Sequence, residues 1–335
     1  MRSLCKMTFR RFVPLFSLGL VLLCLFVYSN RKAQASWSSL PQRLHLAQQD
    51  GPPTGELLVE ESDPDFINWN PKPHFQAGSP LPVDHNFTSV LVIAKTKRED
   101  IRWMSTELAG QDTAIYVADD PTASLHPPKN KGHEVMVYLS WIIDNYDDLP
   151  DVTIFMHAHQ YTWHNDDLLG HNAADMINKL SRPHVWRQGF VNMRCNWYPG
   201  CPDWMHPSET ERNMFKQEEV LLAKSWSELF PLDPVPSVLA QPCCAQFALS
   251  RERIQAKPYA QYLWYRNWLF STKLSDSISG RIWEYIWQFV FTGSNTFCPK
   301  EHICFCDQYG VCFGGKRNLI NFLRSNRSWG TANAI

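Results

Sequence analysis

Between Asn130 and Asp167 the chain reads NKGHEVMVYLSWIIDNYDDLPDVTIFMHAHQYTWHNDD: a helix, a break, a buried strand, then a burst of imidazoles and carboxylates. Val135, Leu139, Ile142 and Ile143 fall on one helical stripe, so this helix is expected to lie against a sheet. Asn130 is the expected N-cap, its side-chain oxygen accepting from the free N–H groups of the first turn, and Glu134 suits the positive end of the helix dipole. Asp147-Asp148-Leu149-Pro150 breaks the helix, and Val152–Met156 is a short apolar run of the kind that forms a buried parallel strand. Side chains two apart on a strand share a face, so His157 and His159 are expected to look into one hollow. Ligands of α/β folds gather at the carboxyl ends of strands, and chemistry is sought here first.

The flanking sequence extends the pattern. Ser89–Ala94 and Thr113–Ala118 read as strands, with a helix over Lys97–Leu108 between them. Strand and helix alternate, which predicts an α/β fold: a Rossmann-like, mostly parallel sheet with flanking helices and right-handed crossovers. Further on, helices are expected at Ala173–Leu180, Glu209–Phe230 and Gly280–Phe291, and strands at Phe190–Asn196 and Cys243–Leu249, the last running into a helix capped by Ser250.

Phe12 to Tyr28 is 17 residues without a charge, preceded by Arg2, Lys6, Arg10 and Arg11 and followed by Arg31 and Lys32. That bias predicts a signal anchor with a cytoplasmic N-terminus, a single-pass type II protein of the secretory pathway membrane (Golgi or ER). Ala33-Gln34-Ala35 leaves a cleaved signal peptide, and a secreted protein, as the alternative. The expected organisation is a tail (1–11), an anchor (12–28), a proline-rich stem (29–86), an α/β catalytic-type domain (87–292) and a Cys-rich C-terminal lobe (293–335). Eight of the ten cysteines lie beyond the anchor, an even number that suits an oxidising compartment. Cys298, Cys304, Cys306 and Cys312 suggest a pair of disulfides stapling the C-terminal lobe, or a zinc knot. Cys195 and Cys201 are expected to close a loop around Pro199-Gly200, and the adjacent Cys243 and Cys244, on a strand, to pair with different partners. Asn86-Phe87-Thr88 and Asn326-Arg327-Ser328 are glycosylation sequons.

A net charge of -1 gives no sign of a nucleic-acid surface. Fourteen tryptophans fit either an aromatic core or a platform for stacking on sugars. There is no G-x-S-x-G elbow, H-E-x-x-H helix, dinucleotide loop or P-loop. His157, His159 and His164, with Asp166 beside them, could hold a divalent metal; imidazoles favour Mn or Zn over Mg. The alternative is that these histidines close the strand end through backbone hydrogen bonds. Asp119 and Asp120, after the second strand, are candidates for a ribose or a metal, or form a solvated turn. Asn130 and Lys131 at a helix start could receive a phosphate. Arg251 and Arg253, at another helix start, could neutralise a diphosphate or serve in salt bridges. Glu284, between Trp283 and Trp287, is a carboxyl whose pKa burial would raise, as a general base requires, unless it pairs with Arg281 for packing.

NKGHE, the stretch through FMHAH, W-H-N-D, PGCP, PCCAQFALSRERI and GRIWEYIWQFVF together resemble a largely fungal family, domain of unknown function 3431, over roughly Val90 to Gly315. More weakly, the helix start, the Y-D-x-L-P-D helix end and the apolar strand before the histidines are similar to sugar-nucleotide glycosyltransferases of the GT-A type. In those enzymes a D-x-D holds a divalent metal at the position of His157-Ala158-His159. That resemblance implies a GT-A-like, membrane-anchored glycosyltransferase with a nucleotide-sugar donor and a carbohydrate acceptor. A metal-dependent hydrolase or oxidase built on the histidines, and a non-catalytic lumenal binding domain, are the alternatives.

Overall fold

The computed structural model describes residues 78–330. The expected tail and anchor, and most of the stem, lie outside the described residues.

A five-stranded sheet runs through the domain in the order β2-β1-β3-β5-β4. Its strands are β1 (Ser89–Lys95), β2 (Asp112–Val117), β3 (Val152–His157), β4 (Phe190–Asn192) and β5 (Phe247–Ser250). β1 lies between β2 and β3 and is parallel to both, as the alternating pattern predicts. β5 runs antiparallel to both β3 and β4. β1 and β3 are continuous apolar runs because both faces of the sheet are covered. Val92, Phe155 and Phe247 enter an aromatic core under the Val135–Asp144 helix with Tyr262, Tyr265, Trp283 and Trp287. Ile93, Ile154, Met156 and Ala248 enter the opposite core with Met176, Phe305 and Tyr309.

Several expected elements are shorter or differently capped. The helix after NKGHE begins at Val135, with Glu134 rather than Asn130 at its N-cap. Gly132 and His133 take the left-handed conformation (φ +74° and +52°), making a tight turn first. The turn is docked: Lys131 Nζ donates to the Leu274 carbonyl and the His133 N–H to the Asp276 carboxylate. A Cβ at Gly132 would meet Leu269 Cδ2 at 2.8 Å, so only glycine fits. The helix expected over Glu209–Phe230 is confined to Glu219–Leu229, because the Glu209 carboxylate accepts from Thr210 and Glu211 N–H groups and closes a turn instead. Gly280–Phe291 is two helices: Asp276–Glu284, capped by Ser275, and Trp287–Thr292.

The cysteine expectations need correcting. Cys195 bonds Cys304 and Cys201 bonds Cys298, so the first two do not close a loop on each other. Cys306–Cys312 alone is local to the C-terminal segment. That segment is not a separately stapled lobe. Its helix, Glu301–Tyr309, docks on the second core, where Tyr309 Oη donates to the Met193 carbonyl and Gln308 Nε2 to the Asn192 carbonyl. Cys243 and Cys244 bond each other, in a turn rather than a strand. Among the described residues no helix is long and apolar enough to cross a membrane. Asn86, in one sequon, is exposed.

Candidate active site

β3 delivers His157 to the carboxyl edge of the sheet, where it pairs with Ala94 of β1. Its N–H donates to Gln246 Oε1 at 3.2 Å, and its Nε2 lies 2.9 Å from the Cys244 carbonyl. A carbonyl only accepts, so Nε2 carries the proton and Nδ1 keeps a free lone pair. Burial lowers the pKa of His157. The His164 ring lies 5.1 Å from that of His157, centroid to centroid, and its Nδ1 contacts Thr162 Oγ1. Burial first, and then the charges of His157 and Arg194, push His164 down to about 4. Both rings are therefore neutral at pH 7. Gln246 also donates to the His164 carbonyl and to Asn165 Oδ1, joining the exit of β3 to the W-H-N-D loop. His159 is exposed and faces Glu99 at 3.4 Å.

Glu284 ends its helix under the same pole. Its carboxylate accepts the Cys244 N–H at 2.9 Å. Burial first, and the charge of Glu134 second, raise its pKa to about 7, against the lowering pull of the Cys244 N–H and His157. Glu134 is also raised to about 7, chiefly by burial. Two half-buried acids, two neutral imidazoles and a cystine turn thus meet where β3 ends. Arg281 does not neutralise Glu284; it pairs with Glu218 at 3.3 Å.

The structure brings Glu284 together with His157 and His164, and leaves other expected residues apart. Asp119 and Asp120 are at the same edge, beyond β1; two interstrand spacings put β2 about 10 Å from β3. Asp119 accepts the Lys97 N–H, while Asp120 accepts from Thr122 and pairs with Lys97 Nζ, so they brace the exits of β1 and β2. Asp166 is not beside the histidines as a ligand. It is fully buried, each carboxylate oxygen taking one backbone N–H, from Leu168 and from Cys195. Arg251 and Arg253 are at the opposite end of the sheet, because antiparallel pairing sets Ser250 against Val152 at the start of β3. Arg251 pairs there with Asp151 at 2.8 Å, and Arg253 packs against Gly189. Asn130 caps nothing, and the Lys131 ammonium is engaged by a carbonyl rather than open to a phosphate.

Among the described residues, the set of three donors converging within 4.8 Å is Cys243, Cys244 and Glu284, not the histidines with Asp166. The donor atoms of His157, His159, His164 and Asp166 do not converge, and Asp166 is spent on backbone N–H groups, so the D-x-D equivalent does not form a ready metal shell. The residues present do not fit the divalent ion that the GT-A resemblance implies. A cavity of about 800 Å³ lies between the Glu219–Leu229 and Tyr259–Ser271 helices, lined in part by Trp264, Trp268 and Glu228, and another of about 160 Å³ lies beside Phe190. Neither is lined by His157, His164 or Glu284.

Glu134, Gln246, Glu99 and the Cys244 backbone escape a sequence reading. NKGHE and PCCAQFALS mark where Glu134, Cys244 and Gln246 lie, but what Glu134 and Cys244 do depends on turns that no residue pattern spells out. The model for a family described as proteins of unknown function, DUF3431, matches residues 91–307. The chain belongs to the DUF3431 family. The DUF3431 region starts in β1, ends in the Glu301–Tyr309 helix, and encloses every residue of the pole described above. No curated protein and no solved structure matches the chain.

Proposed function

We propose that the carboxyl edge of β3 is the active site of a transferase that moves a glycosyl group from a nucleotide-sugar donor to an acceptor hydroxyl. The observation that carries this is Glu284: a half-buried carboxyl raised to about 7, fixed by the Cys244 N–H, at the end of an α/β sheet where ligands gather. A base poised near neutral pH is suited to take the acceptor proton as the new C–O bond forms and the bond to the nucleoside diphosphate breaks. Neutral His157, with Nδ1 unprotonated, is placed to receive a hydrogen bond from a substrate hydroxyl. The leaving diphosphate would be met at the ends of β1 and β2, where Lys95 and Arg98 supply positive charge while Lys97 is paired with Asp120. Arg251 and Arg253 have no part in this, and no step is routed through a metal.

A type II secretory-pathway address remains our proposal, with a membrane partner through Phe12–Tyr28. It is supported by disulfide bonding of all eight cysteines of the described residues. The hydrolase or oxidase alternative loses its main support, since the donor atoms of the histidines and Asp166 do not converge.

The test is incubation of the full chain with a panel of nucleotide sugars. Release of nucleoside diphosphate with at least one donor, abolished in Glu284→Gln, is expected. Absence of both turnover and thermal shift with every donor would remove the assignment.

A further inference from the structure

We propose that the exposed rings of Tyr161, Trp163 and Tyr198 form a carbohydrate-binding subsite on which an acceptor oligosaccharide stacks. The proposal rests on the transfer function above and names its acceptor class. The rings are 64%, 59% and 77% exposed, whereas most other aromatic side chains of the described residues form a core. They are continuous with the candidate active site: the Trp163 ring lies 4.2 Å from that of His164, which neighbours His157.

A buried cation holds this rim in place. Arg194 is only 2% exposed, yet its guanidinium reaches the carbonyls of Trp163 at 2.5 Å and Tyr198 at 3.1 Å, and the Asp167 carboxylate at 3.4 Å. A planar fork bonded to both carbonyls fixes the two loops less than about 8 Å apart. Cys201–Cys298 anchors the Tyr198 loop a second time. The rings are therefore preorganised without being buried, which lowers the ordering cost of binding.

The surroundings select the occupant. Along Tyr161-Thr162-Trp163-His164 exposed rings alternate with half-buried hydrogen-bonding side chains, and His171 with Asp167 lies beside them. A pyranose has this same duality: an apolar C–H face for the electron-rich face of a ring, and hydroxyls around its edge. A lipid surface would call for contiguous aliphatic side chains, which this rim lacks.

Isothermal titration of the full chain with hexaoses of β-1,4-glucose, β-1,4-N-acetylglucosamine and α-1,6-mannose tests it, with phosphatidylcholine vesicles in parallel. At least one hexaose should bind. Trp163→Ala and Tyr198→Ala should each weaken that binding by about tenfold. Trp163→Phe should restore most of it, and Tyr259→Ala, an exposed ring elsewhere, should change nothing. The subsite is overturned if no hexaose binds, if binding ignores both ring deletions, or if the rings are needed for vesicles instead. Ring-dependent hexaose binding by a chain that turns over no nucleotide sugar would remove the transfer function and leave the subsite standing.

Discussion

The Cys244 backbone stands between Glu284 and His157: its N–H donates to the carboxylate at 2.9 Å and its carbonyl lies 2.9 Å from the imidazole Nε2. To do both it takes φ +90°, a conformation that residues other than glycine rarely adopt, and Ala245 follows at +47°. The covalent bond to Cys243 constrains this turn. Holding the acid and the imidazole in one geometry is therefore a task for the cystine turn, separate from stapling the fold.

The two kinds of disulfide should respond differently to deletion. Cys243–Cys244 joins neighbours and closes no loop worth counting, so replacing both with alanine should leave the urea midpoint nearly unchanged. Cys195–Cys304 spans 109 residues, and Cys304→Ser should cost about 4 kcal/mol of stability. The Cys243/Cys244 double variant should instead raise the pKa of Glu284, because a hydrogen bond to its charged form is loosened. NMR titration of the Glu284 side-chain carbon reads this; an unmoved titration would refute the positioning role.

Stability should respond to pH in two opposed ways. Glu134 and Glu284 are raised from 4.5 to about 7, so the folded state holds more protons than the unfolded one and stability falls as pH climbs through that window. His164 is lowered from 6.5 to about 4, and His157 is lowered too, so stability falls as pH drops below 6.5. Between about 4.5 and 6.5 the slopes oppose each other. Glu284→Gln removes one of the two acid contributions and leaves Glu134 against His164 and His157, so the slope between pH 5 and 6.5 should turn upward relative to wild type, with a gain of at most about 3 kcal/mol at pH 8. His164→Asn should show the reverse slope. Urea titrations at pH 5, 6.5 and 8 give the signs directly.

The sheet was legible where the sequence states its own periodicity. Val152–His157 and Ser89–Lys95 are apolar because both their faces are covered, and their order follows from the helices between them. The antiparallel entry of β5 was not legible, and with it the position of Arg251 and Arg253: a strand's composition says nothing about its direction. Glu284 was recognisable as a carboxyl among tryptophans, whereas the raised pKa of Glu134 depends on burial after a turn of two left-handed residues, Gly132 and His133. In a strand the side chains of adjacent cysteines diverge; Cys243 and Cys244 can bond because they sit in a turn, which their composition does not reveal.

Residues displaced from the site should act on stability alone. Asp166→Ala strands two buried backbone N–H groups, of Leu168 and Cys195, and should cost about 2–5 kcal/mol. Arg251→Ala removes a partner of Asp151, which keeps bonds from Thr88 and His85, so about 1 kcal/mol is expected. Arg251→Ala should leave donor turnover unchanged. A 100-fold loss of turnover without a matching loss of stability would return this arginine to the site.

Turnover itself should depend on Glu284 and not on an added divalent ion. The donor atoms of His157, His159, His164 and Asp166 do not converge, so an ion could gather them only after these side chains moved. With positive charge supplied by Lys95 and Arg98, diphosphate release should survive dialysis against EDTA with less than about a twofold change. Glu284→Gln should lower kcat by about 10²- to 10⁴-fold, the usual contribution of a general base. The wild-type kcat should rise with pH through about 7, because only the ionised carboxyl accepts the proton. A chelator that abolishes turnover, restored by Mn²⁺ or Zn²⁺, would show that the histidines rearrange around a metal and that the charge at the end of β1 is insufficient.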